Sequence, residues 1–149
     1  MEERRTLDPL DREGSERGVR IIPPGGTIGV LGGGQLGRML ALAGRAMGYR
    51  FVTLDPAEDS PCGQVADRQI TAPYSDLAAA REMARLADVI TYEFENVSAE
   101  VAEMLSREAY VPQGSRLLHT TQHRLREKRA VEAAGVRVAP YAEVRSLDD

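Results

Sequence analysis

The sequence is short of the residues that announce most special chemistries. Its 149 residues include no tryptophan, two phenylalanines, two histidines and a single cysteine. One cysteine excludes an internal disulfide and cannot form a thiolate metal site alone. Cys62 lies in Ser60-Pro61-Cys62-Gly63 and reads as an incidental loop residue, compatible with a reducing cytoplasm. His119 and His123 stand one helical turn apart, a spacing that can hold zinc, but no third ligand lies at a suggestive distance, so no metal site is expected. No apolar run approaches the roughly 20 residues needed to cross a bilayer. A surplus of positive charge is lacking too. The net charge of -4 gives no general attraction to nucleic acid or anionic membranes.

Residues 1–20 lack aromatics and an apolar segment, and carry six acids against five arginines. This is no signal peptide. Such a stretch buries too little to offset its ordering entropy, so residues 1–24, closed by Pro23-Pro24-Gly25-Gly26, read as a flexible charged extension.

From Thr27 the pattern changes. Thr27-Ile28-Gly29-Val30-Leu31 is a short apolar run of the kind that fills a buried parallel strand. Apolar residues then recur with helical spacing at Leu36, Met39, Leu40, Ala43 and Met47, and Gly48 stops the helix. Arg50–Asp55 is a second strand, ended by Pro56; Arg68–Thr71 is a weak third and Asp88–Tyr92 a fourth. Ser75 or Asp76 caps a helix reaching about Leu86, and Ser98 caps one reaching about Arg107. Tyr110-Val111-Pro112 is predicted as a short fifth strand. A last helix is predicted to start at Thr120 or Thr121 and to end at Gly135, after which residues 136–140 are extended. The alternation predicts a Rossmann-like α/β fold, a mostly parallel sheet flanked by helices.

Gly32, Gly34 and Gly37 follow the G-x-G-x-x-G spacing between a strand and a helix. Glycine permits a tight turn there and lets an anion approach the amides at the helix start. A phosphate-bearing ligand at this turn is the functional reading; close strand–helix packing is the plainer one. Asp55 closes the second strand, where dinucleotide folds place a ribose-binding carboxylate. A dinucleotide-binding module of a dehydrogenase or redox-sensing regulator is therefore the alternative. Glu93 and Glu95 lie two apart at a strand end and point to one face. Arg124 and Lys128 share a helix face.

Longer strings carry more information. Gly32-Gly33-Gly34-Gln35-Leu36-Gly37-Arg38-Met39 comes first, then Leu54-Asp55-Pro56 with Ser60-Pro61 and Val65-Ala66-Asp67. Thr91-Tyr92-Glu93-Phe94-Glu95-Asn96-Val97 follows, and Gln122-His123-Arg124-Leu125-Arg126-Glu127-Lys128 precedes Gly135-Val136 and Ala139-Pro140. In this order they resemble the 5-(carboxyamino)imidazole ribonucleotide synthases, ATP-grasp ligases of purine biosynthesis, over roughly residues 27–145.

The resemblance implies a ligase that uses ATP, magnesium and bicarbonate, through carboxyphosphate, to carboxylate the exocyclic amine of 5-aminoimidazole ribonucleotide. It implies a homodimer and a first domain that resembles a dinucleotide fold without holding a dinucleotide. The substrate-binding residues it implies are Gly34, Gln35, Leu36, Gly37 and Glu93, and the ATP-binding residue is Arg124. No catalytic or metal-binding residue is carried over. His123 stands where the family usually has aspartate, which could orient the neighbouring arginine; Ser98 replaces a common proline and Cys62 a small residue. The implied division is a pre-ATP-grasp domain at 25–115, then a linker helix and the start of a truncated ATP-grasp domain at 116–149. Such a piece is expected to contribute the ribonucleotide turn and to be inactive alone.

Overall fold

The structure, a computed structural model, describes residues 20–93 and 95–146. Its elements run β1 (Thr27–Leu31), α1 (Gln35–Ala46), β2 (Arg50–Asp55), β3 (Arg68–Thr71), α2 (Leu77–Leu86), β4 (Val89–Tyr92), α3 (Ala99–Glu108), α4 (Arg116–Thr121) and α5 (Arg124–Ala133). The four strands form one sheet in the order β3-β2-β1-β4, and every pairing is parallel. The expected α/β architecture is present. The central strands are the apolar runs of the sequence because a parallel sheet covered on both faces has no solvated side. In β2, Phe51 through Asp55 are all buried.

The two faces have separate cores. Leu31, Val52 and Leu54 point to one face and pack with Met83, Ile90, Leu105 and Leu118 from α2, β4, α3 and α4. Val30 and Phe51 point to the other and pack with Ala41 of α1 and Cys62 of the loop joining β2 to β3. This second layer is thin. Helix α1 buries only Gly37, Ala41 and Gly44, and a Cβ on Gly44 would collide with the Phe51 ring. The helix therefore lies close on the sheet, and its apolar stripe faces outward: Leu36 is 63%, Met39 62% and Met47 62% exposed.

Helix starts follow the capping residues. The Asp76 carboxylate accepts the Ala78 and Ala79 amides, and the Ser98 hydroxyl accepts the Val101 amide. Two expectations need correction. Tyr110-Val111-Pro112 forms no strand: one backbone bond joins the stretch to β4, from the Ile90 amide to the Tyr110 carbonyl at 2.9 Å. Pro112 has no amide with which to continue a ladder. The last helix is two helices, α4 and α5, broken at Gln122 and His123, and Gly135 follows α5 with φ of 79°. Past Gly135 the described chain joins no helix or strand. Residues 1–19 of the charged extension lie outside the described residues. Residues just after them touch the domain, where the Tyr49 hydroxyl donates to the Ile22 carbonyl at 2.9 Å and Arg20 faces Asp88 at 3.9 Å.

Candidate functional site

The glycine turn sits at the carboxyl ends of β1 and β2. Gly32 has φ of 114°, a conformation open to glycine and strained for other residues. Its amide donates to the Leu54 carbonyl at 3.0 Å. Gly33 and Gly34 are small for another reason, which is that the protein's own acids crowd them. Asp55 Oδ2 accepts the Gly33 amide at 2.7 Å and the Tyr74 hydroxyl, and Oδ1 accepts the Ala57 amide at 2.8 Å. A Cβ on Gly33 would strike Asp55 and Ser60, and one on Gly34 would lie 2.7 Å from Glu93 Oε1.

Glu93 completes the arrangement. It follows β4, and its carboxylate spans the turn. Oε1 accepts the Gly34 amide at 2.8 Å and Oε2 accepts the Gly37 amide. Gly37 is itself tight, since a Cβ there would meet the Gly32 carbonyl at 3.1 Å and Glu93 Oε2 at 3.2 Å. The phosphate expected from the motif spacing thus finds a carboxylate in its place. The amides of Gln35 and Leu36, between the two engaged ones, have no partner among the described residues. Cys62 is fully buried beside this cluster, its amide donating to the Gly33 carbonyl at 2.8 Å. Burial foremost, with Glu93 and Asp55 adding to it against a Thr53 hydrogen bond, pushes its thiol up. It is a packed, protonated side chain rather than a nucleophile. Burial and Asp55 likewise push the Tyr74 phenol up, so it remains a donor.

A cleft of about 1040 Å³ opens beside Glu93, lined by Tyr92, Glu93, Asn96, Gln122, Arg124 and Glu127 among others. Its walls are held by two glutamine side chains. The Gln113 side chain imitates a strand neighbour: Oε1 accepts the Tyr92 amide at 3.2 Å and the Thr91 hydroxyl at 2.7 Å, and Nε2 donates to the Tyr92 carbonyl at 3.3 Å. Gln122 Nε2 donates to the Glu95 and Val97 carbonyls at 2.7 and 2.8 Å. The one sequence signal for Gln113 was its place after a proline that cannot pair. Gln122 opens the string that ends at Lys128, but nothing in that string records its partners, which are distant in the chain.

The structure therefore brings Gly34, Gly37 and Glu93 into direct contact, sets Gln35 and Leu36 between them, and puts Arg124 on the same cleft as Glu93. Arg124 is 78% exposed in its side chain and pairs with Glu127. Arg38 turns away to the Pro61 carbonyl and Gln64. His119 faces Arg126 at 3.0 Å from α4, while His123 precedes α5. No group of three or more His, Cys, Asp or Glu placed to hold a metal ion lies among the described residues. Among the described residues, Arg124 is the exposed cation lining the cleft. No helix among the described residues is long and apolar enough to cross a membrane.

A parallel sheet whose glycine turn is closed by its own acids, beside a cleft with an exposed arginine, defines a class. Residues 26–122 match the family model described as the ribonucleotide synthetase preATP-grasp domain, and the chain belongs to that family. Its named relatives narrow the class. It is 51% identical over 130 residues to the N5-carboxyaminoimidazole ribonucleotide synthase of Bacillus subtilis (strain 168), covering 87% of this chain and 34% of that protein. The fold superposes on the ADP complex of N5-carboxyaminoimidazole synthetase from Staphylococcus aureus with a TM-score of 0.82 at 44% identity, covering 85% of this chain and 34% of that one. It also superposes on the Aspergillus clavatus synthase in complex with ADP and 5-aminoimidazole ribonucleotide, with a TM-score of 0.71 at 30% identity over 78% of this chain and 31% of that one. The chain spans about a third of the length of the curated relatives it matches.

Proposed function

We propose that this chain supplies the ribonucleotide-side domain of an ATP-dependent carbon–nitrogen ligase that joins bicarbonate to the amine of 5-aminoimidazole ribonucleotide, in cytoplasmic purine biosynthesis and within a homodimer. ATP supplies the activating phosphoryl group when bound, with magnesium, and Arg124 is the residue here that would meet its phosphates. The names of the synthases it resembles and the 5-aminoimidazole ribonucleotide in the Aspergillus complex support the reading.

The observation that carries it is the carboxylate of Glu93 on the glycine turn. An ionised carboxylate offers about four lone-pair positions, and the amides of Gly34 and Gly37 use two of them. The others face a ligand that brings donors, such as ribose hydroxyls or an exocyclic amine. The open amides of Gln35 and Leu36 would donate to ligand oxygens at the same place, while Gly34 and Gly37 give the turn its shape. A phosphate next to the Glu93 charge would be repelled, so the turn takes the neutral, donor-bearing part of the ribonucleotide and leaves the phosphate to other groups. The dinucleotide alternative is disfavoured by Asp55, which is 7% exposed and has both oxygens engaged by the protein. It has no reach toward a ribose.

The test is an amide NMR titration with 5-aminoimidazole ribonucleotide and, separately, with reduced nicotinamide dinucleotide. The ribonucleotide is expected to move residues 33–38 and those adjoining Glu93, and Glu93→Gln is expected to weaken that response. A stronger and better localised response to the nicotinamide nucleotide would overturn the reading.

A further inference from the structure

We infer that Glu93 is a selectivity device: its carboxylate occupies the anion seat of the glycine turn and thereby bars phosphate and pyrophosphate from a loop that would otherwise take them. This concerns the turn rather than the ligation, and holds whichever ribonucleotide the cleft receives.

The geometry of the turn supports the inference. The strand–glycine turn–helix geometry is that of an anion site, with amides at the start of a helix pointing outward. The seat already holds an anion, because one carboxylate takes the amides of Gly34 and Gly37 through separate oxygens. The fit is close, since even a methyl group at Gly34 would lie 2.7 Å from Oε1. A phosphate large enough to reach those two amides would overlap the carboxylate and repel its charge. Asp55 does the same for the amide of Gly33, so three amides of the turn, those of Gly33, Gly34 and Gly37, are closed from within by acids reaching in from β2 and from the end of β4. Helix α1 has no acidic residue in its first turn to do this locally. The chain instead uses a residue 59 positions away from Gly34, which also ties the turn to the wall of the cleft. Glu93 is thus a specificity-determining residue. Its removal should turn a donor-binding site into an anion-binding one.

The experiment follows the backbone amides of the full 149-residue chain by NMR during titration with inorganic pyrophosphate, for the wild type, Glu93→Ala and Glu93→Gln. The wild type should show no saturable shift at Gly34 or Gly37. Glu93→Ala should gain a saturable response at both, with pyrophosphate affinity higher by about two- to fivefold, the scale of one anion at a helix start. Glu93→Gln keeps the side-chain volume and removes the charge, so it should gain less. Saturable wild-type shifts at Gly34 and Gly37 would overturn the inference, and that arm stands even if a variant fails to fold. A folded Glu93→Ala chain that gains no pyrophosphate response would overturn it equally. The ribonucleotide titration reports on the ligase reading separately: loss of that response with gain of the pyrophosphate response supports both, and either can fail without the other.

Discussion

Helix α1 buries Gly37, Ala41 and Gly44 against the sheet, whereas α5 buries no residue at all. The region around α1 is held by a fully buried Phe51 and by carboxylates whose oxygens meet backbone amides. The region around α5 is held by solvated contacts: Arg124 with Glu127, Arg129 with Glu143 at 3.0 Å, Lys128 with the Ala139 carbonyl at 3.3 Å and its ammonium 5.2 Å from the Tyr141 ring. Buried contacts of the first kind are costly to break because desolvated groups would be left without partners. Exposed ion pairs of the second kind each contribute about 0–1 kcal/mol. The turn is consequently preorganised before any ligand arrives. Arg124 can leave Glu127 for a phosphate at little cost.

The comparison breaks most sharply at the core. Phe51 is 0% exposed and lies against Gly44. Phe51→Ala removes a ring from a layer that has little else in it, and is expected to lower stability by about 3–5 kcal/mol, enough to unfold much of the chain. Urea denaturation followed by circular dichroism measures it; a loss under about 1 kcal/mol would mean that the thin α1 layer is not what holds the sheet.

Asp55→Asn comes next. The amide side chain can accept only through its one oxygen, so either the Gly33 or the Ala57 amide loses its acceptor, and the charge that strengthened both bonds is gone. Hydrogen bonds to charged groups contribute about 1.5–3 kcal/mol, so a loss of about 2 kcal/mol is expected. Hydrogen exchange at the Gly33 amide should quicken beyond the change at β1 residues such as Val30. A uniform quickening would show that the bond holds the whole fold and not the turn in particular.

Much of this division was legible in the sequence. The strands were apolar runs, the caps at Asp76 and Ser98 were small polar residues ahead of helical patterns, and Glu93 stood out by its motif. What could not be read was which partner each group takes. Glu93 bonds residues 59 and 56 positions earlier, and no local pattern records that. The outward turn of Leu36, Met39 and Met47 was hidden for a related reason: helical spacing marks a stripe but not its direction, and the glycines beside it were the true contact face. Tyr110-Val111-Pro112 looked like a strand because its first two residues favour one, yet Gln113 supplies by side chain what Pro112 cannot by backbone. The break between α4 and α5 falls where Gln122 is drawn off to the Glu95 and Val97 carbonyls, a tertiary contact with no signature in spacing.

The smallest expected effect on stability sharpens the contrast from the other side. Arg124 opens α5 with its side chain 78% exposed and an ion pair one turn along the same helix, to Glu127. Arg124→Ala removes that pair, but a cation at a helix start is opposed by the helix dipole, so the two changes partly offset. The net shift should stay within about 0.5 kcal/mol, as for surface substitutions generally. Ligand response should behave differently. If Arg124 meets the phosphates of ATP, its removal takes away the exposed cation on the cleft that Glu127 now engages, and leaves Glu93, Glu95 and Glu127 facing the nucleotide without it. Any ATP-induced change in the amide spectrum near α4 and α5 should then fall several-fold while the melting temperature holds. Arg124→Lys separates charge from geometry: the ammonium keeps the charge but cannot make the forked contact of a guanidinium, so partial recovery is expected. A variant that loses stability in step with its ATP response would place Arg124 in the scaffold, and the two regions would then differ less than their burial indicates.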